Sequence, residues 1–237
     1  MGLDGLGLWS SRNPLIEAET LAEYEDQLRQ GARQAERVHV IFLDVDGVLA
    51  DFVGGTLACM KSQAQAGQPT PCWPPTEWPP QSWNAAIDNF GLTVDEFWKR
   101  IENREGFWDD LAVCPLAESL LAMCREYCPN VRFLTAPCHD PESAAAKIRW
   151  LRRFADAPQL MDWHLSVDKQ FNAGPGRILI DDNEKNCAAW EAAGGHAIIY
   201  PQPWNFRRAI TYPQAKLAYV EEQLQKLTGV VPEPAVA

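Results

Sequence analysis

The 237-residue sequence is short of positive charge: 21 Lys and Arg stand against 32 Asp and Glu, a net charge of −11. Such a surface repels polyanions, which argues against an extended nucleic-acid surface but leaves room for a local positive pocket around a phosphate. Long apolar runs are missing as well. None reaches the roughly 18 residues of a membrane-spanning helix, and the first residues lack a basic-then-apolar signal pattern. No membrane partner is therefore expected, and the reading is cytoplasmic. The seven cysteines (59, 72, 114, 124, 128, 138, 187) are odd in number and scattered, whereas disulfide scaffolds are shorter and denser in Cys, so reduced thiols are expected. Cys124 and Cys128 have no second pair at ligand spacing, which argues against zinc. Internal repeats and long charge blocks are also lacking.

What remains is ordinary globular material, 46% hydrophobic and 22% charged, which excludes a mainly disordered chain. At roughly 150 residues per domain, the length allows one or two domains. Residues 1–13 are Gly-rich and read as a lead-in; Pro14 to Arg37 carries Leu15, Leu21, Tyr24 and Leu28 near helical spacing. Val38–Leu43, Val131–Thr135, His164–Val167, Arg177–Ile180 and Ala197–Tyr200 are short apolar, β-branched runs suited to buried strands. Helix-like stretches lie between them at 116–127, 141–154 and 184–193. Strand alternating with helix predicts an α/β fold, a parallel sheet covered by helices on both faces.

The alternation breaks once, between residues 50 and 113. That segment holds six prolines within 69–80 and half of the ten tryptophans. The prolines exclude a regular helix or central strand there, while Thr93 and Glu96 predict a capping box for a helix over 93–103. The segment reads as a small, mainly helical cap over the carboxyl edge of the sheet, where open α/β sheets bind ligands. The expected organisation is an N-terminal extension (1–37), a catalytic core (38–50 and 114–212), a cap (51–113) and a C-terminal helix and tail (213–237).

The chemistry concentrates at strand ends. Asp44 and Asp46, spaced i, i+2 after the first strand, can point to one side, and Gly47 lets the chain turn away. Asp181 and Asp182 end the fourth strand; adjacent strand residues face opposite ways, so one of them is expected to join Asp44 and Asp46. Converging carboxylates repel unless a cation is present, and oxygen-only ligands suit Mg²⁺ with a substrate phosphate. Thr135, ending the second strand, and the backbone that follows it at Ala136 can hold phosphate oxygens, and Lys169 can neutralise phosphate and carboxylates. Lys147, inside a helix-like stretch, is read as facing solvent or its i±4 neighbours.

Asp44-Val-Asp46-Gly47, Thr135, Lys169 and Asp181-Asp182 stand in the order of the four motifs of haloacid-dehalogenase-like phosphatases, which the chain resembles. DVDGVLADF running into GGTL, FWKRIENREGFWDDL, and SVDKQ followed by LIDD resemble more closely the 5′(3′)-deoxyribonucleotidases, over roughly residues 38–200. Ala136, where relatives often carry Ser, and the Pro-rich stretch 69–80 depart from that family. The resemblance implies a Rossmann-like core and a nucleoside monophosphate as the small-molecule substrate. It also implies Asp44 as nucleophile, Asp46 as acid and base, and Asp181 as the residue orienting Lys169 or a metal-bound water. Mg²⁺ would be held by Asp44, Asp182 and the backbone carbonyl of Asp46, and phosphate by Thr135, Ala136 and Lys169. Phe52, Trp73, Trp78, Phe107 and Trp108 either stack on the base or form the core of the cap, with Phe52 and Trp108 ranked first by similarity. Cys187, Trp190 and the Tyr200–Asn205 segment are read as packing elements. A phosphatase for another small ester or a polynucleotide 3′-phosphate, and a catalytically silent nucleotide-binding module, stay open as alternatives, as does a homodimer through the N-terminal helix.

Overall fold

The structure, a computed structural model, describes residues 37–230 apart from 76, 83, 85, 86, 88 and 156–160. The helix expected over 14–37 and Trp83 lie outside the described residues. Five strands, β1 (Val40–Leu43), β2 (Val131–Thr135), β3 (Trp163–Leu165), β4 (Arg177–Asp181) and β5 (His196–Ile199), form one sheet in the order β3-β2-β1-β4-β5. Every pairing is parallel. The sheet therefore grows to one side of β1 through β2 and β3, then to the other through β4 and β5. The switch in direction opens a crevice at the carboxyl ends of β1 and β4, the usual ligand position in such sheets.

Strand residues are apolar on both faces because both faces are covered. Ile41, Leu43, Phe133, Ile178, Ile180 and Ile198 join one core, and Val40, Phe42, Leu134 and Leu179 join a second with Trp190. The period of two along each strand sorts them. Six helices are described: α1 (Phe52–Gln65), α2 (Val94–Glu102), α3 (Ala117–Tyr127), α4 (Pro141–Phe154), α5 (Glu184–Ala192) and α6 (Pro213–Thr228). Trp190 of α5 packs edge-on to Phe42, their centroids 5.3 Å apart. Leu120 and Leu121 of α3, Trp150 and Leu151 of α4, and Val220 and Leu224 of α6 join the larger core.

Local signals explain most helix starts. Thr93 and Glu96 make the expected reciprocal capping box on α2. At α4, Asp140 accepts from the Glu142 amide (3.0 Å) and Pro141 takes the first turn. The exception is α3, entered from Leu116 at φ +62° with no side-chain cap. No particular helix is predicted over 52–65, where Gly54 and Gly55 lower the propensity; Asp51 caps α1 there, accepting from the Gly54 amide at 2.8 Å, and Phe52, Val53, Thr56, Cys59 and Met60 are buried. Tertiary burial overrides propensity there. The Pro-rich stretch contains no described helix or strand, as expected. At its end toward α4, the segment between β1 and α3 is fastened by charge: Asp109 accepts from Arg149 at 3.0 and 2.6 Å and from Arg153 at 3.3 Å.

Candidate active site

β1 ends at Leu43, and the next residue delivers a carboxylate to the crevice. Asp44 Oδ1 accepts from the Val45 amide (2.7 Å) and pairs with Lys169 Nζ at 2.6 Å. From β4, Asp181 Oδ2 also accepts from Lys169 at 2.7 Å, while its Oδ1 accepts from the Asn183 amide (2.8 Å) and Asn186 Nδ2 (3.2 Å). Asp182 Oδ2 accepts from the Trp204 indole at 2.6 Å. Both members of the doublet reach the cluster: oxygens of Asp44, Asp181 and Asp182 lie within 4.8 Å of one another. This corrects the expectation that only one would. β4 ends at Asp181, so strand alternation no longer governs Asp182.

Gly47 makes the close packing possible. Its φ of +82° is left-handed, and a Cβ there would lie 2.3 Å from Asp182 Oδ2. The carbonyl of Gly47 accepts from Gln202, whose own carbonyl accepts from Lys216 at 2.9 Å.

Three buried carboxylates share one buried ammonium, so negative charge is in excess. Burial, then the neighbouring Asp181, pushes the Asp44 carboxyl up to about 7 against the opposing pull of Lys169. Burial and the same neighbours raise Asp182 well above the usual carboxylate range. Burial alone would lower Lys169, but Asp181 and Asp44 hold it above the ordinary lysine range, so it stays charged. The chemistry of this donor set fits a hard cation. Asp182 Oδ1 is buried without a hydrogen-bond partner, an oxygen that suits a small divalent ion.

On the other side of the crevice, Asp46 meets Lys147. The ammonium of Lys147 pairs with Asp46 Oδ2 and donates to Thr135 Oγ1 (3.2 Å) and the Ala136 carbonyl (2.9 Å). Lys147 is only 2% exposed, so the expectation of a solvated side chain was wrong. The reason is its position on α4, one face of which buries Ser143, Ala146, Lys147, Trp150 and Leu151; that spacing was legible as a buried stripe. Thr135 is itself fully buried, its hydroxyl 3.5 Å from Asp46, so it meets the Asp46–Lys147 pair rather than the open cavity.

Asp44, Asp46, Lys147, Lys169, Asp182 and Ala136 line a cavity of about 410 Å³ together with Phe52, Trp98, Trp108, Cys138, His139, Asn183 and Asn186. Phe52 and Trp108 stack at 5.5 Å and 16°, and Trp98 stacks on Trp108 at 6.5 Å. The other aromatic candidates lie elsewhere. Phe107 sits behind this wall, edge-on to Phe52 and Trp108. Trp73 and Trp78 pack on Phe90, and Trp78 borders a separate cavity with Pro79, Gln202 and Lys216. These three pack rather than face the cavity, joining the inserted segment to the larger core.

The sequence model of a family described as "5' nucleotidase, deoxy (Pyrimidine), cytosolic type C protein" matches residues 38–223, with Asp44, Asp46, Lys169, Asp181 and Asp182 all inside the match. The chain belongs to that family. The haloacid-dehalogenase-like hydrolase class expected from the four motifs is thereby shown, and residues 1–37 lie outside the match. No curated protein matches the chain. Solved structures similar to it include a hydrolase from Streptococcus pneumoniae TIGR4, at 15% identity and a TM-score of 0.44, covering 73% of this chain and 98% of that one. Another is a HAD family hydrolase from Deinococcus radiodurans R1 with bound phosphate and sodium, at 14% identity and a TM-score of 0.47, covering 84% and 100%.

Within this 5′-nucleotidase family member, sequence reading missed several residues of the site, Asn183 and Asn186 beside Asp181 among them. Trp98 was not singled out, although the 3.6 period puts it on a different face from buried Phe97 and Ile101. Lys147 is another. Trp204 and Asn205 were read as packing only, yet Trp204 holds the Asp182 carboxylate and Asn205 Nδ2 donates to the Asp182 carbonyl (2.9 Å). Nothing local marks such long-range partners. Cys187 and Trp190 are buried packing residues, as expected.

Proposed function

We propose that this protein is a Mg²⁺-dependent phosphomonoesterase that hydrolyses deoxynucleoside monophosphates to nucleoside and phosphate through an aspartyl-phosphate, acting in the cytosol. The observation that carries the reading is the buried Asp44–Lys169–Asp181–Asp182 cluster at the foot of an aromatic-walled cavity. Lys169 and the Val45 amide engage Oδ1 of Asp44, leaving Oδ2 to attack phosphorus as the bond to the leaving oxygen breaks. Asp46 gives that oxygen its proton, then takes one from the water that hydrolyses the acyl phosphate and returns Asp44. Lys169, fixed by Asp181, balances charge on the phosphoryl oxygens. Asp44, Asp182 and the Asp46 carbonyl would hold Mg²⁺, which when bound neutralises carboxylate and phosphate charge together.

Phe52, Trp98 and Trp108 offer flat faces on which a base can stack. A polynucleotide end is the poorer fit, because the net charge of −11 disfavours an extended anionic strand. The test is phosphate release from deoxy- and ribonucleoside monophosphates and hexose phosphates, with Mg²⁺ and with a chelator. Release from deoxynucleotides that stops on chelation is expected. Release from hexose phosphates alone would overturn the substrate, and full turnover by Asp44→Asn would overturn the mechanism.

A further inference from the structure

We propose that Lys147 is a positioning residue for the acid–base carboxylate, fixing the orientation of Asp46 at the edge of the main cavity. The inference deepens the phosphatase reading and rests on it. An ammonium on α4 could stay in water at no cost; burying it costs several kcal/mol unless every proton finds a partner. Here every proton does: Asp46 Oδ2, Thr135 Oγ1 at 3.2 Å and the Ala136 carbonyl at 2.9 Å take the three donors. The open side is closed by the Trp108 ring, 4.3 Å from Nζ, a cation–π contact in a desolvated place. Lys147 borders the main cavity, but its three donors are already taken. It acts through Asp46.

The same bonds fix the carboxylate of Asp46. Oδ2 is held by Lys147 and approached by the Thr135 hydroxyl at 3.5 Å, and Oδ1 is buried without a partner. Asp46 borders the main cavity. Lys147 thus sets the orientation of the carboxyl that gives its proton to the leaving oxygen as the P–O bond breaks, and later receives one from water. Trp108 belongs to the inserted segment and Lys147 to the core, so the aromatic wall that borders the substrate space also seals the lysine that aims the acid.

The experiment compares wild type, Lys147→Met and Lys147→Gln, with Mg²⁺, on a deoxynucleoside 5′-monophosphate and on p-nitrophenyl phosphate. The first leaving oxygen needs a proton, and the second does not. Leaving-group release is followed in the first turnover, before water attack intervenes, together with the substrate concentration at half-saturation. The nucleotide rate is expected to fall about 100-fold and the nitrophenyl rate less than about fivefold, with half-saturation changing less than about threefold. Gln, which keeps a donor toward Asp46 and tolerates burial, is the second variant should Met fold poorly, and a smaller split in the same direction is expected of it. Equal losses on both esters, or no loss on either, would overturn the positioning role while leaving the phosphatase reading intact. Wild-type protein that cleaves hexose phosphates but not nucleotides overturns the substrate alone, and the hexose ester then serves as the proton-requiring arm. Wild-type protein inert toward every ester overturns the phosphatase reading and this inference with it.

Discussion

Two lysines, both buried to within 3% of completely, serve the two halves of the crevice in opposite ways. On the β1/β4 side, Lys169 faces Asp44 and Asp181, with Asp182 beside them, so negative charge exceeds positive. On the β2/α4 side, Lys147 faces one carboxylate, Asp46, which keeps 18% of its side chain in contact with solvent, and neutral oxygens take its other donors. The first half is an unfinished ion site that calls for an added cation. The second is closed and charge-balanced, suited to fixing one carboxylate in place. One crevice thus holds an electrostatic demand and a geometric restraint side by side.

The sharpest way to break this comparison is to remove the nucleophile from the acidic half. Asp44→Asn keeps the shape and is expected to lower phosphate release by about three orders of magnitude or more, measured at saturating Mg²⁺. Next in size is a contrast between the lysines themselves. Lys169→Met strands three carboxylates away from water and is expected to cost about 3–5 kcal/mol of stability. Lys147→Met strands one that still touches solvent and should cost clearly less; thermal melts in the absence of metal measure both.

A smaller effect with a definite sign concerns pH. The carboxyls of Asp44 and Asp182 are raised in the folded protein, Asp44 to about 7, above their ordinary range near 3.8. Between those values the folded state binds more protons than the unfolded chain, so metal-free stability falls as pH rises through that window. Metal-free protein is expected to melt higher at pH 5.5 than at pH 8, and Mg²⁺ to raise the pH 8 value most. Asp182→Asn should flatten the slope and raise the metal-free melting temperature at pH 8 by about 2–4 °C; an unchanged slope would mean the acidic cluster is already neutralised without metal. The smallest effect is expected at the rim. Asp109→Ala breaks a half-exposed pairing with Arg149 and Arg153 and should cost about 1 kcal/mol or less, read as a shift in a denaturant midpoint, with the loss shrinking in high salt.

The acidic half was largely legible in the sequence. Strand ends are marked by apolar β-branched runs, so the residues themselves place the carboxylates following VIFL and ending RILID at one sheet edge. The restraining half was not. Lys147 sits twelve residues beyond Thr135 in a helix, and a lone Lys among Ala residues looks like a solvated one; only the buried face shared with Ser143, Trp150 and Leu151 betrays it. Trp204 and Gln202 escaped for a related reason: their partners, Asp182 and Gly47, are distant in the chain. Among the aromatics, composition marked the inserted segment as rich in tryptophan but could not separate Trp98 and Trp108 at the cavity from Trp73 and Trp78 in the packing.

The shortage of positive charge is where sequence and structure finally meet. By itself the sequence determined the parallel α/β plan, the four motif positions and an acidic protein that needs a local cation, because strand periodicity and charge are properties of short stretches. The tertiary structure alone decided that both Asp181 and Asp182 join Asp44, that Lys147 turns inward to hold Asp46, and which aromatics border the cavity. Those choices depend on strand ends, helix faces and desolvation, which arise only when distant segments pack together.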